Sequence, residues 1–197
     1  RMIELKLGGE PVYWSEFHPQ LYTLVLRDEA ADFTHRIRFG FRTVGTDGHL
    51  LTLNGVKIFE RGNVENTNFA KDGIPWMEVE DWRKMLRTLK EEDGVNAIRF
   101  HSWAPPAAAF AAADELGIIM HPEAGLWTDK WMMSSADELG NGKPVDEFAK
   151  REMKAIADTF GNSPSYVSLS LGNELGTSNF DTMGKWVADH KKYDPRA

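Results

Sequence analysis

The sequence predicts an α/β protein: the first half of a (β/α)8 TIM barrel, preceded by the C-terminal strands of a β domain. Three observations support this fold class. Residues 1–44 show only strand and turn patterns. After them, short apolar strands alternate with amphipathic helices. Polar side chains follow each of these later strands, as they do at the active face of a barrel.

The N-terminal segment, residues 1–44, is predicted to consist of strands and turns. LYTLVL and THRIRFGFRTV are rich in β-branched and aromatic residues, and RDEAAD between them supplies a turn. Two or three strands do not form an independent sandwich, so we expect this segment to be the end of a larger β domain. Asp47-Gly48 and Asn54-Gly55 then predict two hairpin turns. The stretch VKIFERG is a candidate first strand of the next domain.

Strands and helices alternate through the rest of the chain. EVEDWRKMLRTLKEE has apolar residues at helical spacing, PPAAAFAAADELG starts with proline and stops at Gly117, and PVDEFAKREMKAIADTFG runs from Pro144 to Gly161. VNAIRFHS, IIMHPE and SYVSLSLGNE are the short strands around them. This order is typical of a parallel sheet covered by helices.

Two architectures have this order of elements, the open doubly wound sheet and the (β/α)8 barrel. A doubly wound fold favours a glycine-rich G-x-G-x-x-G turn after an early strand, and FERGNVEN lacks it. A barrel brings all strand ends to one face, where active sites are built, so we expect half a barrel. The polar residues at the predicted strand ends are Asn63, Glu65, Arg99, His101, Glu123, Asn173 and Glu174.

Composition limits the function. The net charge of −7 disfavours a nucleic-acid partner, and no apolar run approaches the roughly 20 residues that span a bilayer. The absence of cysteine excludes disulfides and thiol catalysis. No His, Asp or Glu spacing is typical of a metal site, so we expect no metal and no cofactor. The sequence does not determine the cellular compartment, since it is compatible with both the bacterial periplasm and the cytoplasm.

The stretch SLSLGNE, residues 168–174, concentrates the candidate chemistry. Ser168 and Ser170 are predicted to face the barrel interior, with the aliphatic residues between them facing the helices. Glu174 then lies at the mouth of the barrel beside Asn173. A carboxyl group held partly out of water there can donate a proton near neutrality, and the neighbouring amide can bind a sugar hydroxyl.

These stretches resemble glycoside hydrolase family 2, the family of β-galactosidases, β-glucuronidases and β-mannosidases. YWSEFHPQLYTLVL with RFGFRTV resembles the end of the immunoglobulin-like β-sandwich that precedes the family's barrel, and LTLNGVKIFERGNVEN resembles its first strand. NAIRFHSWAPPAAAFAAADELGIIMHPE and NSPSYVSLSLGNE resemble later segments, the last ending in the acid/base glutamate. The resemblance covers nearly the whole chain. It implies an immunoglobulin-like end at 1–44 and the first half of the catalytic barrel at 45–197.

The resemblance implies a retaining exo-β-glycosidase in which Glu174 is the general acid/base and Asn173 contacts the 2-hydroxyl. It places Arg99 and His101 in the sugar pocket, although their spacing departs from the family's pattern. Leu169 stands where the family usually has tryptophan. A β-galactoside is the first expected substrate and a β-glucuronide the second, within an oligo- or polysaccharide.

Several roles stay open on the sequence alone. Glu123 is either a substrate ligand or the partner of Arg99, and Trp127 either stacks on a sugar or packs within its own loop. His121, next to Pro122, is expected only to pack.

The family's nucleophile lies beyond Ala197, so we expect these residues to be inactive alone and to need the rest of the polypeptide or a homo-oligomer. The alternatives are a complete site made of Glu123 and Glu174, and a carbohydrate-binding remnant without catalysis.

Overall fold

The computed structural model describes residues 4–6, 8–66, 73–126, 138–176 and 178–196, and its N-terminal part is built from antiparallel strands. β1 (Tyr22–Asp28) pairs with β2 (Phe33–Phe39), and a second sheet has the order β3 (Val44–Asp47), β4 (Leu50–Leu53), β5 (Val56–Lys57). Both predicted hairpins are present, the first with its turn at Gly48 and His49, one residue later than predicted, and the second at Asn54 and Gly55. At the second, Asn54 and Gly55 have φ values of 54° and 77°, as a type I′ turn requires of both central residues.

The following part is an α/β arrangement with parallel strands. β6 (Gly62–Glu65), β7 (Ala97–Phe100) and β8 (Ile119–His121) form a parallel sheet in that order. The three predicted helices are present as α1 (Val79–Glu91), α2 (Ala107–Leu116) and α3 (Pro144–Phe160). The chain is thus a mixed α/β structure, and its assignment to one half of a barrel stays a prediction.

The prediction of a regular fourth strand over SYVSLSLGNE is wrong. Residues 166–173, which we call the bridged segment, join β8 and the residues after it through two isolated parallel bridges, Met120 to Tyr166 and Glu123 to Ser170. Pro122 lies between the two bridged residues of the β8 side and has no N–H to donate, so the ladder is interrupted there. The segment therefore lies beside β8 without continuous pairing.

The helices follow from local sequence. α1 buries Trp82 and Leu86 on one face and carries Glu80 and Asp81 in its first turn, where carboxylates interact favourably with the helix dipole. α2 ends at Gly117 in the left-handed conformation, with φ of 71°. A Cβ at this glycine would lie 2.6 Å from the backbone oxygen of Glu16, so glycine also permits the close approach of the N-terminal segment.

A fourth helix, α4 (Phe180–Tyr193), was not predicted. The Asn179 side chain caps it by accepting a hydrogen bond from the backbone N–H of Thr182, and three basic residues occupy its last turn. Among the described residues, no helix has the length and apolarity to cross a membrane.

The N-terminal segment packs beneath the parallel strands. Fully buried Trp14 clusters with Leu53, Ala97, Ile119 and Val167, and its indole N–H donates to the Asp114 backbone oxygen at 2.8 Å. Elsewhere, α1 and α2 pack against β7 and β8 in the largest core cluster. Because one cluster joins residues from both sides of position 44, the domain boundary placed there stays a prediction.

Candidate active site

A cavity of about 640 Å³ lies on one face of the parallel strands and the bridged segment. Successive side chains of a strand point to opposite faces, so alternate residues share this one. They are Ala97 and Arg99 on β7, His121 and Glu123 on and after β8, and Ser168 and Ser170 on the bridged segment. The prediction that the two serines share one face is confirmed, and Leu169 between them packs against the helix-covered core.

Arg99 joins two of the predicted site residues. Its Nε donates to Glu123 Oε1 at 2.6 Å and its guanidinium NH2 group donates to Asn173 Oδ1 at 2.7 Å. The Glu123 side chain is only 1% exposed, whereas that of Arg99 is 40% exposed. The guanidinium therefore neutralises a buried carboxylate and fixes the amide of Asn173 at the same time.

Two buried polar atoms beside this ion pair, Glu123 Oε2 and Asn173 Nδ2, have no hydrogen-bond partner among the described residues. One is an acceptor and the other is a donor. Buried polar atoms are normally hydrogen-bonded, so this pair is well suited to bind the hydroxyl groups of a ligand.

Glu174 lines the same cavity from an unusual backbone conformation. Its φ is 44°, which is uncommon for a residue other than glycine. Gly172, two residues before Glu174, has φ of 145° and lies against Leu126. The Leu126 backbone oxygen accepts the Asn173 N–H at 2.9 Å. The bridged segment ends at this close approach, and the exposed Glu174 side chain that follows lies at the edge of the cavity.

The remaining predicted site residues are placed differently. His101 is half-buried after β7, and its backbone N–H donates to the Glu65 oxygen at 3.0 Å, but it does not line the cavity. Trp127 lies outside the described residues. Its predicted contact with sugar stays a prediction, as does that of His101.

Two cavity residues, His121 and Glu60, were missed by sequence reasoning. The expectation that His121 only packs is wrong, because its ring lines the cavity and contacts Glu60 Oε1 through Nε2 at 2.7 Å. This hydrogen bond lowers the pKa of Glu60 below its ordinary value, against the opposing effect of partial burial. Strand alternation was the available signal for His121, since it lies two residues before Glu123 and shares its face. Within the described ranges, no group of three or more acidic or histidine side chains could hold a metal ion.

Comparisons with known proteins agree with a mixed α/β fold of this kind. No protein-family model matches the chain. A β-galactosidase from Arthrobacter sp. (strain B7) is 31% identical over 186 residues, which cover 88% of this chain and 17% of that protein. The structure of β-glucuronidase 3 from Bacteroides uniformis is 25% identical, with a TM-score of 0.75 over 94% of this chain and 24% of that one. The structure of a family 2 β-galacturonidase from Eisenbergiella tayi is 19% identical and has a TM-score of 0.72. The match covers 94% of this chain and 32% of the galacturonidase chain, and it shows likeness of fold.

The chain is therefore similar to β-glycoside hydrolases. Within that class the chain is a glycoside hydrolase family 2-like segment, as its motifs predicted. It spans less than a fifth of the length of the curated relatives that it matches, at 17% and 18% of their chains.

Proposed function

We propose that the chain is the part of a retaining exo-β-glycosidase that supplies the general acid/base, Glu174, and one wall of the sugar pocket. A single observation carries this proposal: Glu174 and Asn173 line one cavity with Arg99 and Glu123, on one face of parallel strands. The proposal includes the first half of a TIM barrel at residues 45–197, since a barrel gathers strand-end side chains at one face.

Retaining hydrolysis needs two carboxyl groups about 5–5.5 Å apart. In the first step Glu174 donates its proton to the leaving oxygen while a second carboxylate attacks the anomeric carbon. In the second step Glu174, now ionised, takes a proton from a water molecule whose oxygen attacks the anomeric carbon. The bond between that carbon and the second carboxylate breaks, and the sugar is released. The attacking carboxylate comes from outside these 197 residues, either from the remainder of the same polypeptide or from a second copy.

The arrangement around Glu123 argues against the alternative that Glu123 is the nucleophile. Its Oε1 forms an ion pair with Arg99 at 2.6 Å, and a carboxylate stabilised by a cation in this way is a weaker nucleophile than a free one. Glu123 instead serves the pocket wall, where its Oε2 accepts a hydrogen bond from one sugar hydroxyl and Asn173 Nδ2 donates to another.

A β-galactoside is the first substrate to test, since the Arthrobacter relative is a β-galactosidase. A β-glucuronide is the second, since the Bacteroides uniformis structure is a β-glucuronidase. The natural partner is then the non-reducing end of an oligo- or polysaccharide.

Leaving-group dependence tests the role of Glu174. In the full-length protein, Glu174→Ala should lower kcat/KM for alkyl glycosides by roughly 10²–10⁴-fold, because a poor leaving group needs the proton. Dinitrophenyl glycosides need no proton to leave and should lose far less in the glycosylation step. Glu92→Ala, at an exposed glutamate beyond α1, is the matched control and should leave both rates unchanged.

Two outcomes would contradict the proposal in different ways. An equal loss on both substrates would remove Glu174 from the acid/base role. Sugar binding by a wild-type protein that hydrolyses no glycoside would support the carbohydrate-binding alternative instead.

A further inference from the structure

The bridged segment ends at Asn173 and leads directly into Glu174, yet its backbone pairing with β8 is incomplete. Met120 N donates to Ser165 O at 2.8 Å, and Ala124 N donates to Ser170 O at 2.9 Å. Between these two bonds the donor of a regular parallel ladder would be residue 122, which is proline. The chain that leads to the proposed acid/base therefore lacks one ladder hydrogen bond opposite Pro122, and the pairing resumes where Ser170 N donates to the Pro122 oxygen at 3.1 Å.

The His121 side chain spans this gap. Its Nδ1 hydrogen-bonds the Ser168 hydroxyl, which belongs to the bridged segment, and its Nε2 hydrogen-bonds Glu60 Oε1 at 2.7 Å. Glu60 precedes β6, so the contact crosses the face of the intervening strand. Arg99 is the register partner of His121 on that strand, and two residues earlier Gly62 pairs with Ala97. Both Gly62 and Ala97 line the cavity, and their small side chains leave room for the contact to cross. One imidazole thus ties three separate parts of the chain together.

The polarity of the hydrogen bond between His121 and Glu60 is well defined. An ionised Glu60 can only accept, so His121 Nε2 carries the hydrogen and donates it. The Ser168 hydroxyl either donates to Nδ1 of a neutral ring or accepts from Nδ1 of a protonated one. The bridge therefore persists in both protonation states of His121. It acts as a fixed tie between strands.

We propose that His121, held by Glu60 and Ser168, is a positioning residue that seats the bridged segment and so places Asn173 and Glu174 against the substrate. The proposal rests on the proposed function. His121 does not touch the reacting atoms in this account. It replaces the hydrogen bond that Pro122 removes, at a point five residues before Asn173.

Two substitutions at this position separate positioning from general stability. In His121→Gln the amide can still donate to Glu60 and accept from Ser168, whereas His121→Leu can do neither. A displacement of Glu174 by about 1 Å would cost roughly 10²-fold in proton donation. In the full-length protein, His121→Leu should therefore lower kcat/KM for alkyl glycosides by roughly 10²-fold and for dinitrophenyl glycosides by much less. His121→Gln should retain most of the activity on both.

Ser168→Ala provides a milder second variant in case the leucine substitution does not fold. It removes only one of the two hydrogen bonds and should shift the same substrate ratio in the same direction. His49→Leu, at an exposed histidine in the β3–β4 turn, is the control and should change neither rate.

Crystal structures of the His121 variants give a readout that does not depend on activity. The distance from Arg99 NH2 to Asn173 Oδ1, now 2.7 Å, should be kept in His121→Gln and lengthened in His121→Leu. Unchanged geometry in His121→Leu, or equal losses on both substrate classes, would overturn the positioning role. If the wild-type protein hydrolyses no glycoside, the proposed function fails, and the distances alone decide the role of His121.

Discussion

Replacing Gly172 by alanine perturbs the turn that presents Glu174. An added Cβ would lie 2.5 Å from the backbone oxygen of Leu126 and 3.0 Å from its Cβ. Real Cβ atoms do not approach a backbone oxygen this closely, so either Leu126 or the bridged segment must move. The same Leu126 oxygen accepts the Asn173 N–H at 2.9 Å, so a shift weakens that hydrogen bond as well.

The magnitude follows from these contacts. Alanine at φ of 145° carries backbone strain of about 1–3 kcal/mol. The weakened Asn173–Leu126 hydrogen bond adds about 1 kcal/mol. We therefore expect Gly172→Ala to lower the free energy of unfolding by about 2–4 kcal/mol. Because Glu174 lies two residues further on, we also expect a roughly 10²-fold loss of kcat/KM on alkyl glycosides.

Urea unfolding and nitrophenyl and alkyl glycoside kinetics of the full-length protein measure both effects. Gly184→Ala is the matched control, since nothing lies within 4 Å of a Cβ added at that exposed position of α4. It should raise stability by about 0.5–1 kcal/mol, because alanine favours helix more than glycine does. Wild-type stability and kinetics in Gly172→Ala would refute the claim that this close approach positions Glu174.

Two further predictions concern buried charge. Arg99→Met leaves the 1% exposed Glu123 without its cation and should lower the free energy of unfolding in urea by about 3 kcal/mol. Adding Glu123→Gln to the same protein should restore part of this loss. An unchanged unfolding midpoint in Arg99→Met would contradict the prediction. Burial raises the pKa of Asp114 to about 6 from its ordinary 3.8, against hydrogen bonds from Ser165. The folded state then binds this proton more tightly than the unfolded state, so stability should fall by up to about 3 kcal/mol as pH rises from about 4 to 6. In Asp114→Asn the free energy of unfolding should not show this fall between about pH 4 and 6. The same fall in the variant would show that it does not come from Asp114.

Much of the fold could be predicted because it depends on local signals. α1 and α3 carry apolar periodicity, and α2 and α3 have proline near the start and glycine at the end. These cues act within one or two turns. α4 carried comparable cues, with Asn179 as its cap and basic residues in its last turn, and could have been recognised from them. The interruption beside the bridged segment was also visible in principle, since a proline in a central strand removes a ladder bond.

The site was predictable only in part, because side-chain pairing depends on neighbours in space. Strand-end position and alternation together place Arg99, Glu123, Asn173 and Glu174 at one cavity. The contact between His121 and Glu60 spans 61 residues of sequence and crosses the intervening strand, and no local pattern encodes it. The sequence also left open whether Glu123 binds substrate or pairs with Arg99. Only the position of the Arg99 guanidinium in the structure shows the ion pair.

The central claim is that Glu174 is the acid/base, and the stereochemistry of azide rescue tests it most directly. The full-length Glu174→Ala protein is incubated with a dinitrophenyl β-glycoside and sodium azide, and the product is identified by proton NMR. If Glu174 is the acid/base, the glycosyl-enzyme still forms from the other face and azide attacks it, so we expect a β-glycosyl azide. An α-glycosyl azide would identify Glu174 as the nucleophile instead. The absence of any azide product would likewise contradict the acid/base role.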